Sequence, residues 1–362
     1  MLKRSISCGV FCALTAGTAM GQTVDSLQRS AKDLAGLDWP GTFMRLCLPG
    51  ATAATRVVPT VNPANFPTTT LPTPPGGTPP KPNWYSPPAK IGDNLYFLGT
   101  RNHNTYALVA NTGEIILLDG NFEYATEAEI HEGLRAVGLN PLNVRYSIYA
   151  HAHGDHDGGA HLTEAAIPGV TIVYGEGDWP GVLARTGPHA TRFGPQNDGV
   201  DGRVITVGDV SVKIVTMPGH TPGTLSFLFE FKDKGQPIRV AYPGGTAISF
   251  TGNAALYDEY IASARKFAQA AAAYGANALM SNHTEFDNAY FKAHTALALR
   301  ALHGDDNRHS NQFYDHGRAE KTDSIRQDVP NPYYVGQRRV MNYMGVVELC
   351  AMAAKLRATG GL

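Results

Sequence analysis

The feature that most constrains this chain is the run His151-Ala-His153-Gly-Asp155-His156-Asp-Gly-Gly159, which directly follows the apolar stretch Val144 to Ala150. Four side chains able to bind a metal stand within six residues, His151, His153, Asp155 and His156. On a helix they cannot all face one way, but on a loop leaving a buried strand they can surround two adjacent points, and the glycines permit the tight turn that this requires. Neutral imidazoles with a single carboxylate suit Zn²⁺, although the same ligand set also accepts iron. The chain must therefore fold so that a strand end is exposed and other donors reach it.

Two more histidines share the setting of a loop after a strand. His220 lies in Met217-Pro-Gly-His-Thr-Pro-Gly223 after the strand pattern Val210 to Thr216, and His283 follows the strand Ala278 to Met280 in Ser281-Asn282-His283. Ligands at the ends of several strands can converge on one edge of a sheet, where α/β proteins tend to place their sites. The remaining histidines lack this setting and read as solvated or structural, apart from His103 and His189, whose loops have the reach to overhang the site.

Around the motifs the strands Asn94 to Gly99, Asn104 to Ala110 and Glu114 to Asp119 read as an antiparallel meander. A helix from about Ala125 to Val137 precedes the motif strand. A second series follows, with strands at Val170 to Tyr174, Val204 to Thr206, Val210 to Thr216, Leu225 to Phe231 and Ile238 to Tyr242, then a helix with apolar spacing from Leu256 to Tyr274. Further helices are expected at Asn288 to Leu302 and Gln337 to Leu356. In the last of these, Val340, Met344, Val347 and Ala351 form a stripe suited to packing on the domain. Two successive blocks of mixed strands and helices imply an α/β sandwich with helices outside.

The flanks read differently. Met1 to Arg4 is basic, Ser5 to Gly17 is small and apolar, and Ala19-Met20-Gly21 has the small residues of a cleavage site, so residues 1–21 are expected to be a secretory signal peptide. The apolar run falls short of the ~20 residues of a membrane span, so no span is expected after processing. Export would leave Cys47 and Cys350, which either form a disulfide, stabilising by about 5 kcal/mol through chain entropy, or remain two separate buried thiols. Val24 to Leu37 can form one helix. Pro59 to Pro88 then holds 11 of the 24 prolines and is expected to be an extended linker or surface wrap. Trp84 and Tyr85, just beyond its densest part, either flank a cleft or belong to the core. The expected organisation is a signal at 1–21, an N-terminal helix and linker at 22–83, the metal-bearing domain at 84–305, and a C-terminal extension at 306–362. A net charge of −1 lacks the basic surplus of a nucleic-acid-binding protein, and 17% charged with 43% hydrophobic residues excludes a disordered chain.

The sequence HAHGDH, then PGHTPG, then SNH, in this order and spacing, resembles the metallo-β-lactamase superfamily over about residues 84–300. The resemblance implies a four-layer αβ/βα sandwich, with helices outside two mixed sheets and a metal site along one edge. Carried over by motif, it implies that His151, His153 and His220 hold one zinc and Asp155, His156 and His283 a second. Superfamily members such as glyoxalase II and the lactonases usually add a bridging Asp after the next strand, and the best-known β-lactamase subclass has Cys there. Arg239 to Phe250 contains neither. That pattern is similar to the third subclass of class B β-lactamases and its environmental relatives, as are Asp93 to Gly99 and Gly219 to Gly223.

The function so implied is an exported, periplasmic or secreted dinuclear zinc hydrolase with a role in antibiotic resistance. It would open the β-lactam ring of a small-molecule substrate by attack of a zinc-bound hydroxide that Asp155 ligates and orients. The alternative is a zinc-dependent hydrolase of a lactone, ester or other amide. Serines that often bind the drug carboxylate in that subclass are replaced here by Pro243-Gly244-Gly245-Thr246-Ala247. Either Thr246 or Thr224 takes over that contact, or the glycines merely form a turn and the contact does not exist.

Overall fold

The computed structural model describes residues 22–48, 78–248, 254–302 and 330–360. The expected signal peptide and most of the expected proline-rich linker lie outside these residues.

Twelve strands form two sheets among the described residues. The first has the order β1 (Ala89–Lys90), β2 (Leu95–Phe97), β3 (Tyr106–Val109), β4 (Ile115–Leu118), β5 (Val144–Ile148), β6 (Thr171–Gly175) and β7 (Asp198–Gly199). The second has the order β12 (Ala278–Leu279), β11 (Gln236–Tyr242), β10 (Leu225–Asp233), β9 (Val210–Thr216) and β8 (Val204–Val207). Both are mixed, because β4, β5, β6 and β7 run parallel to one another and β11 runs parallel to β12 while the other pairs are antiparallel. The meander is confirmed in register, with Leu95 opposite Leu108 and Tyr106 opposite Leu118.

The period-2 alternation of the strands fixes the layers. Ile116 and Leu118 of β4 and Val212, Ile214, Phe227 and Phe229 of β9 and β10 point into one core between the sheets. The opposite faces are covered by helices. Ile115 and Leu117 meet Ile130 and Leu134 on one side, whereas Val215 and Leu228 meet Phe267, Val347 and Trp39 on the other. Each large apolar side chain so buried contributes about 1.5–3 kcal/mol, and the result is the expected αβ/βα sandwich.

Helices fall close to expectation at Ala254–Tyr274, Ala289–Leu302 and Gln337–Ala358. The stretch expected as one helix near 125–137 begins at Glu123 and widens into a π turn over Glu127–His131. A second N-terminal helix, Pro40–Cys47, was not expected; Pro40 occupies its first turn, where the missing amide donor costs nothing. Cys47 and Cys350 are joined, with Cα atoms 4.6 Å apart, fastening this helix to the C-terminal one. Among the described residues no helix is long and apolar enough to cross a membrane.

Candidate metal centre

The loops leaving β5, β9 and β12 carry the donors, His151 to His156 after β5, His220 after β9 and His283 after β12. Ala150, just beyond β5, accepts the amide of Leu225 at 2.7 Å, which locks the first sheet to the start of β10 and fixes where His151 begins. His153 then caps the short helix Gly154–Asp157, so Asp155 and His156 leave its first turn. The His220 loop needs Gly219 for two reasons: its φ is +133°, and a Cβ there would stand 2.7 Å from the Cα of Tyr260. His283 follows β12 and is bridged antiparallel to His103.

One donor atom each from His151, His153 and His220 lie within 4.8 Å of one another. The Nε2 atoms of His151 and His220 are 3.0 Å apart, and His153 Nδ1 is 3.1 Å from His220 Nε2. The far nitrogens set the tautomers: His151 Nδ1 donates to the Gly244 carbonyl at 3.0 Å and His220 Nδ1 to the Ala247 carbonyl at 2.7 Å. The inward nitrogens therefore meet lone pair to lone pair, an arrangement that a cation at their centre relieves. Burial and the neighbouring imidazoles hold His151 well below its ordinary pKa, and burial lowers His220 to about 4 and lowers His153, so all three are neutral donors at pH 7.

A second group forms beside the first. Asp155 Oδ2 stands 3.4 Å from His156 Nε2, 3.6 Å from His283 Nε2 and 3.4 Å from His103 Nε2. His156 Nε2 and His283 Nε2 are 3.0 Å apart. Burial opposes the charge on Asp155, but His156, His103 and His283 outweigh it and keep the carboxyl far below the usual carboxylate range. His156 is held from behind by Asp119, whose Oδ2 lies 3.0 Å from Nδ1 and also accepts the Tyr242 hydroxyl at 3.0 Å. Burial would lower His156, yet Asp119 and Asp155 push it well above its ordinary value, so an arriving cation would take the place of that proton.

The structure thus brings together His151, His153, Asp155, His156, His220 and His283, and it adds residues that sequence reasoning did not select. Asp178, after β6, accepts the Ala152 amide at 2.9 Å, the Thr221 hydroxyl at 2.9 Å and the Gly223 amide at 2.8 Å, tying the HAH loop to the PGHTPG loop. Asp119 serves the second group in the same way. The signal for both was an acidic residue just past a parallel strand.

The two threonines weighed for a substrate contact are both buried. Thr224 is fully buried, and its hydroxyl accepts the Thr221 amide at 3.0 Å while lying 3.2 Å from the Thr221 carbonyl. Thr246 Oγ1 pairs with the Tyr343 hydroxyl at 3.0 Å. Both hydroxyls are paired within the protein, that of Thr224 inside its own turn and that of Thr246 with the C-terminal helix. His189 bonds within its own loop to the Gly187 carbonyl at 2.9 Å and joins neither group. Trp84 is buried, with Nε1 donating to the Pro79 carbonyl, and it lines an open groove with Tyr85 and Tyr124.

Residues 98–233 match the family model of the metallo-β-lactamase superfamily. A subclass B3 metallo-β-lactamase of Bradyrhizobium japonicum is similar in structure, with a TM-score of 0.51 and 21% identity, over 73% of this chain and 91% of that one. A metallo-β-lactamase solved in complex with mercaptoacetic acid gives a TM-score of 0.54 at 20% identity, over 76% of this chain and 96% of that one. Glyoxylase B2 of Dictyostelium discoideum is 28% identical over 100 residues, 25% of this chain and 34% of that protein, so the match spans about a third of that relative's length. The fold is that of the superfamily the motifs resemble.

Proposed function

We propose that this chain, built on the metallo-β-lactamase fold, is an exported dinuclear zinc hydrolase that opens the β-lactam ring. The observation that carries the reading is the pair of adjoining donor groups, His151/His153/His220 and Asp155/His156/His283. The 239–248 segment beside them supplies backbone carbonyls to orient the rings and no side-chain acid. This is the donor pattern of the third class B subclass, and the similar Bradyrhizobium japonicum structure is described as a member of it. Five imidazoles and one carboxylate suit zinc, and a zinc pair would supply Lewis acidity and water acidified to a pKa of about 7. Asp155, ionised and with its side chain 22% exposed, orients the attacking water by accepting its hydrogen. The N-terminal basic, apolar and small-residue pattern and the Cys47–Cys350 bond support an oxidising, exported location.

A second reading, hydrolysis of a lactone, ester or other amide at the same centre, is favoured by the burial of Thr224 and Thr246, which leaves no hydroxyl of theirs for a drug carboxylate. It is favoured also by the stretch similar to Glyoxylase B2. The deciding experiment is turnover of cephalosporins and carbapenems by the zinc-loaded mature protein, beside a lactone and ester panel and a chelator-treated control. Chelator-sensitive opening of β-lactams supports the first reading; turnover confined to the panel replaces it with the second. N-terminal sequencing of the periplasmic protein tests export, the expected start lying just after residue 21.

A further inference from the structure

We infer that His103 is a protein ligand of the second metal ion, so that this ion has four protein donors, His103, Asp155, His156 and His283, rather than the three that the motifs supply. The inference rests on the dinuclear reading above and deepens it.

His103 is 4% exposed, and its buried Nε2 makes no well-aligned hydrogen bond, the Asp155 carboxylate standing 3.4 Å away. A buried imidazole nitrogen without a partner is costly unless something else occupies it. Its ring is aimed from behind: the backbone amide donates to Thr100 Oγ1 at 2.9 Å, Nδ1 lies 3.5 Å from the same oxygen, and Phe122 meets the ring edge-on at 5.0 Å. The bridge between His103 and His283 places the two rings 4.9 Å apart, so the backbone that positions one positions the other. His103, Asp155 and His283 each offer a donor within 4.8 Å of the others. Donors about 2.0–2.1 Å from one ion stand roughly 3.3 Å apart in a tetrahedral shell. Asp155 Oδ2 stands 3.4 Å from His103 Nε2, 3.4 Å from His156 Nε2 and 3.6 Å from His283 Nε2, and His156 and His283 are 3.0 Å apart, each close to that spacing.

Four protein donors close a tetrahedral shell, which is the arrangement of ions that stay put, whereas three leave an exchangeable position. The second ion would then be the firmly held one. The open position, and with it the entry point for water and substrate, would belong to the ion on His151, His153 and His220. The ordinary alternative is that His103 only supports Asp155 through the 3.4 Å contact.

Co²⁺ titration of the full mature protein, followed by absorption and by hyperfine-shifted NMR of histidine-labelled protein, separates these outcomes. The wild type is expected to take up two Co²⁺ and show shifted signals from six histidines, His103, His151, His153, His156, His220 and His283. His103→Ala should lose one signal, change the ligand-field bands of one ion, and weaken that ion by at least the ~10-fold typical of disturbing a metal's supporting shell. Two Co²⁺ with only five histidine signals, or a folded His103→Ala protein with unchanged bands and affinity, would overturn the inference and leave the dinuclear reading standing. Uptake of fewer than two ions by the wild type would overturn both. The wild-type signal count decides the matter even if the variant does not fold.

Discussion

Asp178→Asn is the sharpest probe of how the protein builds the first donor group. The carboxylate is 4% exposed and accepts three hydrogen bonds, with Oδ2 serving Ala152 N and Thr221 Oγ1 and Oδ1 serving Gly223 N. Asparagine keeps one oxygen. If that oxygen faces Ala152 and Thr221, its NH₂ opposes the Gly223 amide; if it is flipped, the NH₂ opposes the Ala152 amide. Either way one bond to an ionised acceptor is lost, about 1.5–3 kcal/mol, and a buried amide is left facing another donor, so a net loss of about 3 kcal/mol is expected. Ala152 lies between His151 and His153, and Thr221 and Gly223 flank His220, so the metal should feel the change too. Losing such a supporting contact typically costs ~10–100-fold in metal affinity, or about 1.4–2.7 kcal/mol. Urea unfolding of the metal-free protein reads the first quantity, and competition with a chromophoric chelator reads the second. An unchanged unfolding midpoint together with unchanged zinc retention would refute the reasoning, because it would mean the two loops hold their places without this carboxylate.

His283→Ala should abolish or greatly reduce turnover and lower zinc content below two per chain, as read by elemental analysis; full activity with two zincs would refute the ligand assignment. Cys350→Ser opens a loop of 303 residues, for which chain entropy sets an upper limit of about 6 kcal/mol. Denaturant midpoints with and without reductant should converge in the variant and differ in the wild type. Glu129 is buried, its Oε1 accepts the Ser86 amide at 2.9 Å, and burial pushes its carboxyl well above the usual 4.5. A raised folded-state pKa gives stability that is full below pH 4.5 and is lost as pH rises through the folded value, so Glu129→Gln should gain in Tm relative to wild type between pH 5 and pH 8. A Tm difference that stays flat over that range would contradict the burial argument.

What could be read from the sequence was what is local. HAHGDH announced itself because its donors and its turn are contiguous, and His220 and His283 were found because each follows a strand. The layers were legible because Phe227, Phe229 and Phe231 alternate with residues that face the helices. Asp119 and Asp178 were not, since a single Asp after a strand looks like any turn residue, and their partners lie across the sheet; Asp178 reaches Gly223 from 45 positions away. His103 was placed near the site by its loop, but the bridge to His283 joins segments 180 residues apart and has no local signature. The direction of the Thr224 and Thr246 hydroxyls was likewise not legible, because sequence proximity to a motif does not tell which way a hydroxyl points.

The Pro243–Ala247 segment shows why serines are missing here, and it yields the last prediction. A Cβ on Gly244 would stand 1.7 Å from the Leu225 carbonyl oxygen, and one on Gly245 would stand 2.7 Å from Thr224 Cγ2 and 2.8 Å from His220 Cβ. The backbone runs this close so that the carbonyls of Gly244 and Ala247 can hold the rings of His151 and His220, and Asn282 Nδ2 fixes the Gly244 carbonyl further at 2.6 Å. The glycines therefore trade side chains for ligand orientation, and a hydroxyl cannot be added at this place without moving a ligand. Gly245→Ser, which would place a serine in this stretch, should weaken the first ion by at least ~10-fold rather than improve a carboxylate contact, since it pushes directly on His220. Zinc retention against a chelator reads the first effect and the KM for a carboxylate-bearing substrate reads the second. A variant with both ions retained and a lowered KM would show that the segment has room to spare and that the absence of serines has another origin.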